Sequence, residues 1–214
     1  MLYFIKTPSW LRIVYPECIW KVKTKEKILY VTFDDGPHPD ATPFVLEQLK
    51  KFNALATFFC IGKNVEQHFE IYKQVIESGH AVGNHTYDHL NGWKTQDAIY
   101  LENIFKAKKI IDSNLFRPPY GRITKFQLAR LDGEKFKMST IMWDVLSGDF
   151  DVKLSAENCF LNVARNAKEG SILVFHDSAK SLDKLKEVLP RVLDYFTKKG
   201  FAFKKIELNQ QENL

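Results

Sequence analysis

The chain has 214 residues, 45% of them apolar, and a formal net charge of +5. That is ample apolar material for one sizeable core, and the three scattered cysteines, Cys18, Cys60 and Cys159, fit reduced thiols in a packed domain better than a disulfide framework. The charge comes largely from lysines dotted over expected helices, such as Lys106, Lys108, Lys109, Lys198 and Lys199, with no ordered nucleic-acid motif beside them, so it reads as a solvated face and no nucleic-acid partner is expected.

In chain order, Met1 to Ile13 is interrupted by Lys6, Pro8 and Arg12, and it has neither the apolar core nor the small-residue cleavage site of a signal peptide. No transmembrane run occurs anywhere, so the chain is expected to be cytoplasmic, without integral membrane association. Ile28 to Phe33 reads as a buried strand, after which Asp34, Asp35 and the turn formers Gly36-Pro37 follow. Side chains alternate along a strand, so the two acids share a site only if the strand stops at Phe33 and the chain bends. Thr42-Pro43 reads as the cap and first turn of a helix carrying Val45 and Leu49. Ala56 to Ile61 supplies a strand, and Val65, Phe69, Tyr72, Val75 and Ile76 form one helical stripe ended by Gly79. A very short strand before His85 follows, and His85 and His89, at i and i+4, are expected on one face of a helical turn.

Thr95 opens a long helix with Ile99, Ile104, Phe105 and Ile111. Phe116 to Gly121 (Phe-Arg-Pro-Pro-Tyr-Gly) follows a short apolar segment, and helices fit Thr124 to Leu131 and Ser155 to Ala167. Met142-Trp143-Asp144 ends another strand, with Asp149 further on, and Ser171 to Phe175 is a clear buried strand closed by His176-Asp177. The last helix carries Leu185 to Phe196 and starts late or bends at Pro190; Phe201 to Ile206 is a final strand.

Alternating strands and helices argue a parallel α/β sheet. Residues able to bind metal, move protons or donate hydrogen bonds follow five different strands. Only closure into a barrel brings five strand ends together. The chain is short for the eight-fold form, so the expected fold is a single-domain distorted (β/α) barrel with about seven strands.

Imidazole suits zinc and its neighbours, and catalytic zinc sites commonly take three protein ligands, so one strand-end aspartate would complete a site with His85 and His89. Together, Thr-Phe-Asp-Asp-Gly-Pro, His-Thr-Tyr-Asp-His, Arg-Pro-Pro-Tyr, the Asp149 segment and Val-Phe-His-Asp resemble the polysaccharide deacetylase (NodB-homology) family, carbohydrate esterase family 4, over roughly Lys25 to Ile206. The resemblance implies residues 25–214 as a catalytic domain, with 1–24 an extension packed on the barrel. It implies a metal-dependent hydrolase that removes N- or O-acetyl groups from an acetylated glycan or amino sugar, with zinc favoured over cobalt or nickel. By motif position, Asp34 is the general base, Asp35, His85 and His89 bind the metal, Arg117 orients the base and the Tyr120 backbone N–H helps to hold the oxyanion. His176 matches the general acid and Asp149 the carboxylate that orients it.

Two departures stand out. The fourth motif of the family usually reads Asp-x-x-Asp-Trp, where this chain has Leu146-Ser147-Gly148-Asp149-Phe150. A leucine that usually lines the acetate pocket is Val174 here. Trp143 is read equally as part of a sugar-stacking face or as core. A binding-only relative and a hydrolase of small cyclic amides on the same scaffold are the alternatives.

Overall fold

The computed structural model describes residues 3–133 and 136–208. Met1, Leu2 and 209–214, which fall within the two expected segments, lie outside the described residues. Eight parallel strands alternate with helices: β1 (Ile28–Asp34), β2 (Ala56–Cys60), β3 (Ala81–Asn84), β4 (Leu115–Phe116), β5 (Ser139–Thr140), β6 (Val145–Leu146), β7 (Ile172–His176) and β8 (Ala202–Phe203). The helices are α1 (Ser9–Val14), α2 (Ala41–Lys51), α3 (Gly62–Gln67), α4 (Phe69–Glu77), α5 (Asp97–Lys108), α6 (Lys125–Leu131), α7 (Ala156–Asn166) and α8 (Leu182–Lys198). Seven strands lie in the order β5-β4-β3-β2-β1-β7-β6, and β8 pairs with the start of β1.

That order forces curvature. The sheet's two edges, β5 and β6, are consecutive in sequence, and a step from Thr140 to Val145 spans at most about 18 Å of extended chain. Laid flat, seven strands would hold their edges about 29 Å apart. The sheet therefore curls into an incomplete barrel, as expected from the pattern of strand ends.

Residues before β1 run along the open seam. Lys6 bridges Val145 on one edge and Ile19 bridges Ile141 on the other. Leu146 N–H donates to Ile5 C=O at 2.8 Å and Met142 N–H to Ile19 C=O at 2.8 Å, so both edges find backbone partners. Leu11 and Tyr15 pack against the core cluster of Cys18 and Trp20, whereas Trp10 stays exposed. Fully buried Asp144 anchors this segment, taking Lys6 Nζ at 2.6 Å, the Arg12 guanidinium, and Ser171 Oγ at 2.5 Å.

Alternation along the strands separates two interiors. Leu29, Val31 and Phe33 of β1 pack with Phe58, Leu173 and Phe175 against Val45, Leu49, Leu189 and Leu193 of the helices. Ile28 and Tyr30 face the other way, into the barrel, with Phe59, Leu115, Ile141 and Ile172. All three cysteines are buried and free. Among the described residues, no helix is long and apolar enough to cross a membrane.

Several local expectations change. The stripe from Val65 to Ile76 is two helices, α3 and α4, broken at His68. Helix α8 begins at Leu182 and runs through Pro190, because six apolar residues on both sides of the proline are buried together. Thr42 lies inside α2, and the ring of His38 accepts the Asp40 and Ala41 N–H groups instead. β6 was not foreseen, and the last strand shrinks to Ala202–Phe203.

Replacing Asp144 by Ala removes one buried carboxylate from two half-exposed cations. A loss of about 1–3 kcal/mol in urea unfolding is expected, less than for a fully buried pair. Amide exchange at Leu146 and Thr7 should accelerate with it, and unchanged exchange there would show that the seam is held by other contacts.

Candidate active site

Asp34 and His176 are register partners on adjacent parallel strands, so their side chains leave the same sheet face side by side. Strand alternation puts Tyr30, Thr32 and Asp34 on the barrel side. The strand therefore continues through Asp34, one residue beyond the expected stop. The reversal comes at Asp35, whose φ of 79° turns its carboxylate back over the barrel end.

Among the described residues Arg117 is the largest fully buried side chain, and every edge of its guanidinium is held. Nη1 donates to Asp34 Oδ1 at 2.7 Å and to Thr32 Oγ1 at 2.6 Å. Nε donates to Ile141 C=O at 3.1 Å and Nη2 to Met142 C=O at 3.0 Å, while Phe59 lies under the guanidinium at 4.0 Å. A buried guanidinium needs such saturation, and the result is a carboxylate fixed in one orientation.

His85 and His89 do not sit on a helical turn. Thr86 and His89 have φ values of 63° and 57°, and the loop's backbone groups are claimed from outside. Gly62 and Lys63 N–H donate to the carbonyls of Thr86 and Tyr87, and Asn84 and Asn103 side chains accept the N–H groups of Thr86, Tyr87 and Asp88. Groups that would carry a helical ladder are thus bound elsewhere. The two histidines still converge on Asp35: His89 Nε2 lies 3.1 Å and His85 Nε2 3.7 Å from its Oδ1.

Three observations fit a divalent cation here. One ligand atom from each of Asp35, His85 and His89 lies within 4.8 Å of the others, and Asp35 Oδ1 is buried without a hydrogen-bond partner. His85 Nδ1 donates to Arg117 C=O at 2.7 Å, which leaves the Nε2 lone pair facing Asp35. Burial pushes the His85 pKa down to about 4 against the pull of Asp34, so the ring is the neutral form a metal requires. Burial opposes charge on Asp35 as well, but the imidazoles of His89, His176 and His85 outweigh it and hold its carboxyl well below the usual range.

On the other side, His176 Nδ1 meets Asp149 Oδ1 at 2.8 Å, and Asp149 Oδ2 accepts the His176 backbone N–H at 2.7 Å. Ser147 Oγ donates to the same carboxylate at 3.0 Å. Burial disfavours the imidazolium, yet Asp149, Asp35 and Asp34 prevail and push the His176 pKa up to about 9. Phe150 packs edge-on to His176 at 5.1 Å, so phenylalanine fills the wall where the family usually places tryptophan. Leu146, in place of the first acid, is buried in β6.

Tyr120 has φ 61° in the 3-10 turn Pro119–Gly121, with its ring half-exposed and edge-on to His89 at 4.7 Å. Val174 is buried two residues before His176 on the same barrel face. Trp143 is half-buried: it packs on two core clusters and its ring lies against Gly121, where an added Cβ would meet it at 2.6 Å.

Asp177, for which no role is expected from its local pattern, is prominent in the structure. Fully buried, it accepts Gly36 N–H at 3.1 Å and Thr42 Oγ1–H at 2.5 Å, tying the turn after the paired acids to the start of α2. Burial and the nearby Asp35 charge push its pKa up to about 8. Gly36 is required by this contact, because a Cβ there would lie 2.1 Å from Asp177 Oδ2. Adjacency to His176 was the only signal, and it says nothing of a partner 141 residues away.

An incomplete parallel barrel with a held acid, a charged histidine and a converging Asp-His-His cluster at its strand ends defines a class, the barrel hydrolases. Comparison with known proteins narrows it. The polysaccharide deacetylase family profile matches residues 21–133. A peptidoglycan-N-acetylglucosamine deacetylase of Bacillus cereus is 35% identical over 192 residues, covering 86% of this chain and 88% of that protein. A chitooligosaccharide deacetylase of Azorhizobium caulinodans is 34% identical over 164 residues, covering 73% and 77%. A crystal structure of a peptidoglycan N-acetylglucosamine deacetylase in complex with a naphthalenyl N-oxidanyl-benzamide superposes with a TM-score of 0.85 at 30% identity, covering 92% of this chain and 95% of the other. The chain belongs to the polysaccharide deacetylase family, carbohydrate esterase family 4.

Arg117→Met leaves Asp34 buried without its partner, and a loss of about 3–5 kcal/mol in urea unfolding is expected. Adding Asp34→Asn should recover part of that loss. Strict additivity of the two changes would argue against coupling between them.

Proposed function

We propose that this polysaccharide deacetylase removes N-acetyl groups from amino-sugar residues of a glycan, with Asp34 as general base and His176 as general acid. The observation that carries the reading is the pairing of Asp34 with His176 in register beside the Asp35, His85 and His89 cluster. The printed activities of the relatives, on peptidoglycan N-acetylglucosamine and on chitooligosaccharide, support the substrate class.

A divalent metal held by Asp35, His85 and His89, zinc by this nitrogen-and-oxygen donor set with cobalt or nickel as alternatives, supplies Lewis-acid polarisation of the acetyl carbonyl and a lower pKa for water. The chain's own groups do the rest. Asp34, oriented by Arg117, takes a proton from the attacking water as its oxygen bonds to the acetyl carbon. The Tyr120 backbone N–H donates to the oxygen that gains charge, and Val174 offers an apolar wall to the methyl group. His176 gives its proton to the nitrogen as the C–N bond breaks, releasing acetate and the free amine. Asp149 keeps His176 charged until then.

Asp34→Asn should lower acetate release from N-acetylglucosamine oligomers by at least about 10²-fold, while metal analysis still finds about one bound zinc, as expected of a base outside the ligand set. Loss of the metal in this variant would sink the assignment of roles. Dialysis against a chelator should abolish release, and zinc should restore it. Silence of the zinc-loaded wild type across glycans would turn the reading toward small cyclic amides.

The acid gives a pH test. Protonated His176 is populated below its raised pKa of about 9 and lost above it, so activity should fall on the alkaline side. In Asp149→Asn the main support for the charge is gone and burial lowers the pKa. The alkaline limb of kcat/KM should then move toward acid, and an unmoved limb would remove His176 from the acid's role.

A further inference from the structure

Trp93 is 54% exposed, four residues beyond His89, yet every part of it is fixed. Its Nε1–H donates to Ile123 C=O at 2.9 Å, and its backbone N–H donates to Asn91 Oδ1 at 3.0 Å. The Arg122 guanidinium carbon lies 4.1 Å from the ring centroid and covers one face. The loops carrying these residues are cross-tied: Gly92 N–H donates to Arg122 C=O at 3.2 Å, and Gln127 Nε2 donates to Gly92 C=O at 2.9 Å. Gly92 is needed for that approach, because an added Cβ would lie 2.5 Å from the Arg122 carbonyl oxygen. A surface residue without a task needs no such clamp, and burying the indole would have gained a large apolar area.

Position gives the clamp its meaning. The loop begins at His89, and Arg122 follows Tyr120 by two residues, whose half-exposed ring stands edge-on to His89. Trp93 is thus tied to the two loops that carry His89 and Tyr120, whose rings meet edge-on. A pinned indole, about half exposed and covered on one face by Arg122, suits the weakly positive C–H face of a pyranose ring.

We infer that Trp93 is a stacking subsite for a sugar ring flanking the residue that is deacetylated, so that the enzyme favours oligomers over isolated acetylated groups. This rests on the deacetylase reading above. The pinned plane lowers the entropy lost when the ring is covered, since neither the side chain nor its loop must be ordered on binding.

The test compares the N-acetylglucosamine tetramer with p-nitrophenyl acetate, a small acetyl ester without a sugar. Trp93→Ala should raise KM for the tetramer roughly three- to tenfold, the range of one aromatic contact, and leave ester hydrolysis unchanged. Trp93→Phe should recover most of the difference. Tetramer binding to zinc-loaded Asp34→Asn, measured by calorimetry with and without Trp93→Ala, should weaken by the same factor. Equal losses on both substrates would mean that Trp93 only supports the His89 loop, and no loss on the tetramer would mean that no sugar reaches it; either overturns the subsite. If the wild type releases no acetate from the tetramer, the deacetylase reading fails by itself. Calorimetry then decides the subsite: Trp93-dependent binding keeps it, and binding that is absent or indifferent to Trp93 removes it.

Discussion

The ion pair between Arg117 and Asp34 constrains both the barrel and the site. A buried guanidinium must find oxygen partners in several directions, and Arg117 finds them in Asp34, Thr32, Ile141 C=O and Met142 C=O. The last two are offered where the short strand β5 has ended. Burial of Arg117 and the broken edge of the barrel are therefore one arrangement. The pair contributes little net stability by itself, but it fixes one rotamer of Asp34 beside His176. Arg117 also uses its backbone: its carbonyl receives His85 Nδ1–H, so one residue orients Asp34 and sets the tautomer of His85.

Around this fixed point the loops are strained. Asp35, Thr86, His89 and Tyr120 all have positive φ without being glycine, at a cost of order 1–3 kcal/mol each. Their tethers offset it. Asn64 Nδ2 holds Asp35 C=O at 2.7 Å, the start of α3 holds the carbonyls of Thr86 and Tyr87, and Asn103 holds two amides of the histidine loop. Regular elements could not have aimed the ends of β1, β3 and β4 at one point. The chain leaves the regular conformations at the residues whose side chains must converge.

Much of this was legible in the sequence. Buried strands announce themselves by apolar runs, and the acids, histidines and arginine that follow them are conspicuous because polar residues at such positions need a reason. So the barrel, Asp34, Asp35, His85, His89, Arg117, Asp149 and His176 could all be named. What failed has a common cause. The spacing of His85 and His89 suits a helix, but neighbouring backbone and asparagine groups claim the N–H groups of Thr86, Tyr87 and Asp88 and the carbonyls of Thr86 and Tyr87. A two-residue strand such as β6 carries no periodicity and shows only in its pairing with β7. Asp177 and Gly36 meet across the fold, and no local pattern encodes that meeting.

The converging side chains come from the two sides of the β1–β7 pairing. Asp34 and Asp35 stand at the end of β1, His85 and His89 after β3 and Arg117 after β4, whereas Asp149 follows β6 and His176 ends β7. Across the sheet they are joined by the β1–β7 pairing, which sets Asp34 beside His176. Along the seam, residues before β1 join them a second time. Tyr3 donates to Asp151 at 2.7 Å and packs on Phe150, which in turn packs on His176; Ile5 pairs with Leu146, and Thr7 Oγ1 donates to Trp143 C=O at 2.6 Å. A closed eight-stranded barrel would hold both halves by hydrogen bonds alone. Here the missing pairing between β5 and β6 is replaced by a segment whose own side chains reach Phe150 and Asp151, so the part of the fold that looks most like an accessory also supports the ring that packs on His176.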